Sequence, residues 1–146
     1  VPFRHGYRYP EAGGGMKAVI WHNSRCGTSR NTLALLRHAG IEPTVVEYLK
    51  AVPSQDALAD MIGEAGLSVR EAIRSKEAAY TELGLADPAL DDCVLLAAMV
   101  ANPILINRPF VRTDLGARLC RPSEVVLQIL PALATPFTKE DGQVIG

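Results

Sequence analysis

The chain has 146 residues, 48% of them hydrophobic and 21% charged, with a formal net charge of −1 at pH 7. That balance fits one globular domain with one real core, and it excludes a disordered chain, a polycationic nucleic-acid binder and a membrane span. Its three cysteines, Cys26, Cys93 and Cys120, are odd in number and far apart, which fits a reducing cytoplasm better than a disulfide-stapled fold.

Residues 1–15 hold Gly13-Gly14-Gly15 and two prolines without any hydrophobic period. They read as a disordered or non-native extension, too polar for a signal peptide, with the folded domain running from Met16 to about Gly142. Lys17-Ala18-Val19-Ile20-Trp21 is apolar and partly β-branched, which predicts a buried strand. Leu33, Leu36 and Gly40 then lie at helical spacing, so a helix starts near Ser29 and closes at Gly40. Pro43 to Leu49 predicts a second strand and hence a βαβ unit.

The middle of the chain, about 54–101, predicts an all-helical insertion. Ser54 caps a helix with Leu58, Met61, Ile62 and Ala65 on its buried face. Ser68 and Glu71 have capping-box spacing. Tyr80 to Leu85 forms another turn, and Asp91 or Asp92 opens a helix that packs Cys93, Val94, Leu95, Ala98 and Met99 and stops before Pro103. Strand character returns at Ile104-Leu105-Ile106 and at Phe110 to Thr113, and Asp114-Leu115-Gly116 turns the chain into a returning strand, Ala117 to Cys120. A helix with Pro122 at its first position buries Val125, Val126, Ile129 and Leu130, and a polar tail follows from Phe137. The order β-α-β, helical insertion, β-β-α predicts a thioredoxin-like α/β fold: a mixed sheet with flanking helices.

In such an order Cys26 stands where the first strand hands over to the first helix. Free N–H groups at a helix start stabilise a thiolate or a bound oxyanion. Arg25 and Arg30 add positive charge beside the sulfur, and Thr28 and Ser29 offer hydroxyls. Together these lower a cysteine pKa below its usual ~8.5 and mark Cys26 as a nucleophile rather than a packing residue. Ser29 occupies the place of a second thiol in a Cys-x-x-Cys pair, so no internal dithiol exchange occurs at this motif. Cys120 neighbours Arg121 and is a candidate for a supporting role.

Eleven of the fifteen basic residues are arginine. Arginine is the side chain whose rigid fork matches tetrahedral oxyanions. Arg74 follows the capping-box helix, while Arg108 and Arg121 each precede a proline that restricts the backbone before it. Spacing alone does not separate these three from Arg70, Arg112 or Arg118.

Three blocks go further: His22-Asn23-(two residues)-Cys26-Gly27-Thr28-Ser29-Arg30-Asn31-Thr32, Asn102 through Pro109, and Arg118 through Leu127. With the tail Phe137 to Gly142, they resemble the glutaredoxin-coupled arsenate reductase family of the ArsC type. Ser24-Arg25 departs from the proline and small residue often found there. The resemblance implies reduction of arsenate to arsenite by an oxidoreductase that binds no cofactor or metal and uses glutathione as co-substrate and glutaredoxin as partner. It implies that Cys26 forms a covalent adduct with arsenic, that His22 and Ser29 tune its thiolate, and that Arg74, Arg108 and Arg121 hold the substrate. A cis bond between Arg108 and Pro109 is also implied. Two relatives of the same fold remain as alternatives, a glutathione-dependent thiol oxidoreductase of other substrate and an RNA-polymerase-binding regulator of the Spx type; a phosphate- or sulfate-binding module is a third class.

Overall fold

A computed structural model describes residues 16–146 of the protein. The extension expected at 1–15 lies outside the described residues. Strand β1 (Ala18–Trp21) is buried along its whole length. Because successive strand side chains point to opposite faces, Val19 and Trp21 join one apolar cluster while Ala18 and Ile20 join another. β1 pairs in parallel with β2 (Thr44–Val46) and antiparallel with β3 (Phe110–Thr113), which pairs antiparallel with β4 (Gly116–Leu119). The sheet order is β2-β1-β3-β4. This is the mixed sheet of the thioredoxin-like fold expected from the sequence.

Helix α1 (Gly27–His38) covers one face, placing Leu35 and Leu36 with Ile20 and Val111. Helices α2 (Gln55–Glu64), α3 (Val69–Ala72) and α5 (Asp92–Ala101) cover the other, where Leu58, Met61, Leu95 and Met99 pack with Trp21 and Phe110. The two rings meet edge-on at 5.9 Å. Between α3 and α5 the short α4 (Ala78–Glu82) buries no residue. The caps predicted from sequence form: Ser54 accepts from the Ala57 N–H, Asp91 from the Val94 N–H, and Ser68 and Glu71 bond reciprocally.

Four segments differ from the sequence reading. Pro103–Leu105 is a 3₁₀ turn rather than a strand, since only Asn102 separates it from the end of α5 and the Leu105 and Ile106 N–H groups bond back to the Asn102 and Pro103 carbonyls. Ser123–Ile129 is also 3₁₀, with Pro122 as its cap instead of its first residue. The tail is a hairpin, with β5 (Phe137–Thr138) paired to β6 (Val144–Ile145) around Gly142, whose φ of +89° suits a residue without Cβ. Phe137 is buried against the second apolar cluster, so the charged turn between the strands had masked a hairpin. Cys93 is exposed rather than packed, and Val94 beside it is 45% exposed. α5 is apolar on nearly every side, so periodicity could not choose which residues face the core.

One connection outside the sheet positions the site. Ile106 bridges to Ile73, the Arg74 N–H donates to the Leu105 carbonyl at 2.8 Å and the Asn107 N–H to the Ala72 carbonyl at 2.9 Å. The end of α3 is thereby tied to the segment before β3, which sets Arg74 beside Asn107 and Arg108.

Candidate active site

Cys26 caps the N-terminus of α1 in an extended conformation, φ −95° and ψ 120°, and its carbonyl accepts the Arg30 N–H at 2.9 Å. Its own N–H donates to the Asn23 carbonyl at 3.0 Å. The short loop His22–Arg25 thus delivers the thiol to the helix start, where N–H groups lack intrahelical partners. Cys26 is buried, which pushes the thiol pKa up. The Ser29 N–H and the guanidinium groups of Arg108 and Arg121 outweigh that effect and hold it at about 7.

The two cations at the sulfur come from distant segments, not from the loop. The Nη1 of Arg121 lies 3.6 Å from the Cys26 Sγ and donates to the Arg108 carbonyl at 3.0 Å. Arg108 follows Asn107, whose side-chain oxygen accepts from the Arg108 N–H at 3.0 Å and from the Arg74 Nη1 at 3.4 Å. Both peptide bonds before Pro109 and Pro122 are cis; only the first had been expected. Arg30, by contrast, is held by both oxygens of Glu140, at 2.9 and 3.0 Å, and by the Ser24 carbonyl. Arg25 is exposed, and its backbone N–H donates to the Asn23 side-chain oxygen at 3.0 Å.

Arg108 is the unusual member of the set. Its Nε and Nη1 are buried and have no hydrogen-bond partner. Buried guanidinium donors without a partner are strongly disfavoured unless an anion completes them, a chemistry that suits an oxyanion. Arg74 shares its charge with Glu77 at 3.1 Å but keeps donors facing a pocket of 220 Å³ that it lines with Ser75, Asn107 and Arg121. A second, larger cavity of 520 Å³ carries Arg108, His22 and Asn23. Each cavity thus includes one of the two arginines that act on the sulfur, Arg121 in the smaller and Arg108 in the larger.

His22 and Ser29 form a buried pair, Nδ1 to Oγ at 2.6 Å, and the Ser29 hydroxyl also accepts the Asn23 N–H at 3.1 Å. Burial, opposed by Glu47 and aided by Arg37 and Arg30, lowers the His22 pKa and so favours the neutral imidazole. The serine acts on the sulfur through its backbone N–H while its hydroxyl braces the loop. Cys120 stands apart from this chemistry: it is fully buried, and burial pushes its thiol up to about 12. The six residues singled out from the sequence therefore converge on one place, and Cys120 packs.

Residues not singled out also contribute. Asn107 links Arg74 to Arg108, and its position inside the Asn102–Pro109 block was the available signal. Tyr48 is fully buried with a hydroxyl that finds no partner, and burial raises its pKa. Its place in a short apolar run gave no hint of that. Arg70 donates to the carbonyls of Leu85 and Asp87, each at 2.6 Å, and Arg112 pairs with Glu64, so neither faces the thiol. Among the described residues no group of three or more His, Cys, Asp or Glu could hold a metal ion, and no helix is long and apolar enough to cross a membrane.

The model of the ArsC family matches residues 21–129. An arsenate reductase of Rhizobium meliloti (strain 1021) is 62% identical over 131 residues, 89% of this chain and 94% of that protein. An arsenate reductase of Escherichia coli is 54% identical over 87% of this chain and 91% of its own length. A solved structure of an arsenate reductase from Vibrio cholerae is 47% identical, covers 80% of this chain and all of that chain, and superposes with a TM-score of 0.78.

Proposed function

This chain belongs to the ArsC family, and from that premise we propose that it is an arsenate reductase whose nucleophile is Cys26 and whose substrate clamp is Arg74, Arg108 and Arg121. The observation that supports the assignment of roles is the pair of buried Arg108 donors, Nε and Nη1, left without a partner in a side chain that also acts on a thiol held at about 7. A thiol at that value is substantially ionised at neutral pH, and an oxyanion is the group that uses the remaining donors.

Cys26 thiolate attacks arsenic and an oxygen leaves as water, giving a Cys26–S–As adduct. Glutathione then displaces a second oxygen as water and forms an As–S bond. A glutaredoxin thiolate attacks the glutathione sulfur; an S–S bond forms, the As–S bond breaks and its electron pair stays on arsenic, which passes from As(V) to As(III). Hydrolysis of the remaining S–As bond frees arsenite and Cys26. Two external thiols supply the two electrons, as required when Ser29 stands where a second thiol would lie. Phosphate has nearly the same shape and charge as arsenate, so the clamp binds either, and selectivity comes from the reducibility of arsenic. Three free thiols suit work in a reducing cytoplasm.

The test is arsenate-dependent NADPH oxidation coupled through glutathione reductase, glutathione and glutaredoxin. The wild-type protein turns over, and Cys26→Ser abolishes it. Turnover surviving in Cys26→Ser would overturn the role of Cys26, and absence of turnover in the wild type would overturn the activity.

A further inference from the structure

The turn of the C-terminal hairpin comes to rest on the start of α1, beside the thiol loop. We propose that Glu140, in that turn, is a positioning residue for Cys26: through Arg30 it braces the loop that carries the thiol, so that the sulfur meets an oxyanion held by Arg108 and Arg121. The reaction served rests on the reductase reading, while the brace itself follows from the hydrogen bonds.

Arg30 joins two segments that are remote in the chain. Its Nε and Nη2 donate to the two oxygens of Glu140 at 2.9 and 3.0 Å, and its Nη1 donates to the Ser24 carbonyl at 3.0 Å. One rigid guanidinium thus spans the gap between the tail and the loop. Ser24 lies two residues before Cys26. On the other side of the thiol, a Cβ at Gly27 would stand 3.6 Å from the Arg30 Nη2 and 3.8 Å from the Glu140 Oε1. The ion pair therefore flanks Cys26 before and after.

The carboxylate is delivered to a fixed place by contacts that do not involve it. The Glu140 N–H donates to the Asn31 side-chain oxygen at 2.9 Å, the Lys139 Nζ donates to Glu124 at 3.0 Å, and Phe137 is buried in the second apolar cluster. An isolated surface ion pair contributes little. A bidentate pair whose partners are already held in position gives up less side-chain freedom and retains more of its value.

The loop needs such support. Ser24 and Arg25 are exposed, so no apolar packing holds them, and the N–H groups of Arg25 and Cys26 bond only as far as Asn23. Arg108 and Arg121 stand on other segments, each before a cis proline bond. The spacing of sulfur and clamp is thus set by where the loop sits. Misplacing a reacting group by about 1 Å can cost up to a hundred-fold in rate.

Glu140→Ala removes the carboxylate and keeps the N–H bond to Asn31, so the hairpin stays docked. In the coupled assay at saturating glutathione it should lower kcat for arsenate at least about three-fold, while the inhibition constant of phosphate, which occupies the clamp without being reduced, moves less than about two-fold. Arg30→Ala should show the same split, and the double variant should be no slower than Arg30→Ala, because Glu140 acts through Arg30. Amide hydrogen exchange should quicken in a peptide spanning residues 22–28 of Glu140→Ala and stay unchanged in β3. An unchanged kcat, unchanged exchange in that peptide, additive losses in the double variant, or a loss of phosphate affinity equal to the loss of kcat each overturns the brace. If wild type reduces arsenate and Glu140→Ala matches it, the brace falls and the reductase reading stands. If wild type does not reduce arsenate, that reading falls and the exchange decides the brace: faster exchange at 22–28 sustains it, and unchanged exchange overturns it.

Discussion

The Nη1 of Arg121 sits 3.6 Å from the Sγ of Cys26, 95 residues away along the chain, and the same nitrogen donates to the carbonyl of Arg108. One side chain thus ties together the thiol and the second cation that acts on it. The sulfur gains its charge stabilisation from these long-range partners and from the Ser29 N–H, against the opposing effect of burial.

The first consequence is a pH dependence. The Cys26 pKa is lowered from 9.0 to about 7. The thiolate is therefore present above about pH 7 and lost as pH falls through that value. Alkylation of Cys26 by iodoacetamide, followed by mass spectrometry, should rise with pH to a half-maximum near 7. Arg121→Ala should move that midpoint upward. An unmoved midpoint would mean that Arg121 does not act on the sulfur.

The proposed substrate clamp makes a separable prediction. Arg74→Ala, Arg108→Ala and Arg121→Ala each remove charge-assisted bonds worth about 1.5–3 kcal/mol, which corresponds to roughly ten-fold to a hundred-fold in kcat/KM for arsenate. Arg70→Ala and Arg112→Ala should leave the KM for arsenate near wild type and lower Tm instead, because those side chains hold carbonyls and Glu64. Five variants with the same kinetic defect would remove the distinction.

Ser29→Ala should separate bracing from tuning. The hydroxyl bonds to His22 and Asn23, so its loss leaves two buried polar groups short of a partner and lowers stability by about 1–3 kcal/mol. The alkylation midpoint of Cys26 should stay close to wild type, since the backbone N–H remains. A rise as large as that of Arg121→Ala would show that the hydroxyl reaches the sulfur.

Thiol labelling of the folded protein should modify Cys26 and the exposed Cys93 but spare Cys120, which is fully buried with its thiol pushed up to about 12. Cys120 should react only after unfolding. Cys120→Ala should lose about 1 kcal/mol of stability through the small void it leaves and keep arsenate turnover. Rapid native labelling of Cys120 would place it in the chemistry after all.

Removing the Tyr48 hydroxyl tests a different point. It is buried without a partner, so Tyr48→Phe should leave Tm unchanged or raise it slightly. A fall in Tm comparable to a lost buried hydrogen bond would reveal a partner for that oxygen.

Much of this molecule follows from local sequence alone. The alternation in β1, the caps at Ser54, Ser68 and Asp91, and the position of Cys26 at a strand-to-helix junction depend on residues within a turn of one another, and short-range physics specifies them. What the tertiary structure decided lies where distant segments meet. From sequence, Arg25 and Arg30 stood nearest the thiol, but Arg30 is taken by Glu140 of the C-terminal hairpin, and Arg108 and Arg121 act on the sulfur instead. Separation along the chain says nothing of such pairings, because they are set by the order of strands in the sheet and by the bridge between Ile73 and Ile106. The same holds for Cys93 and Cys120, both in apolar runs: only the packing of whole elements made one exposed and the other core.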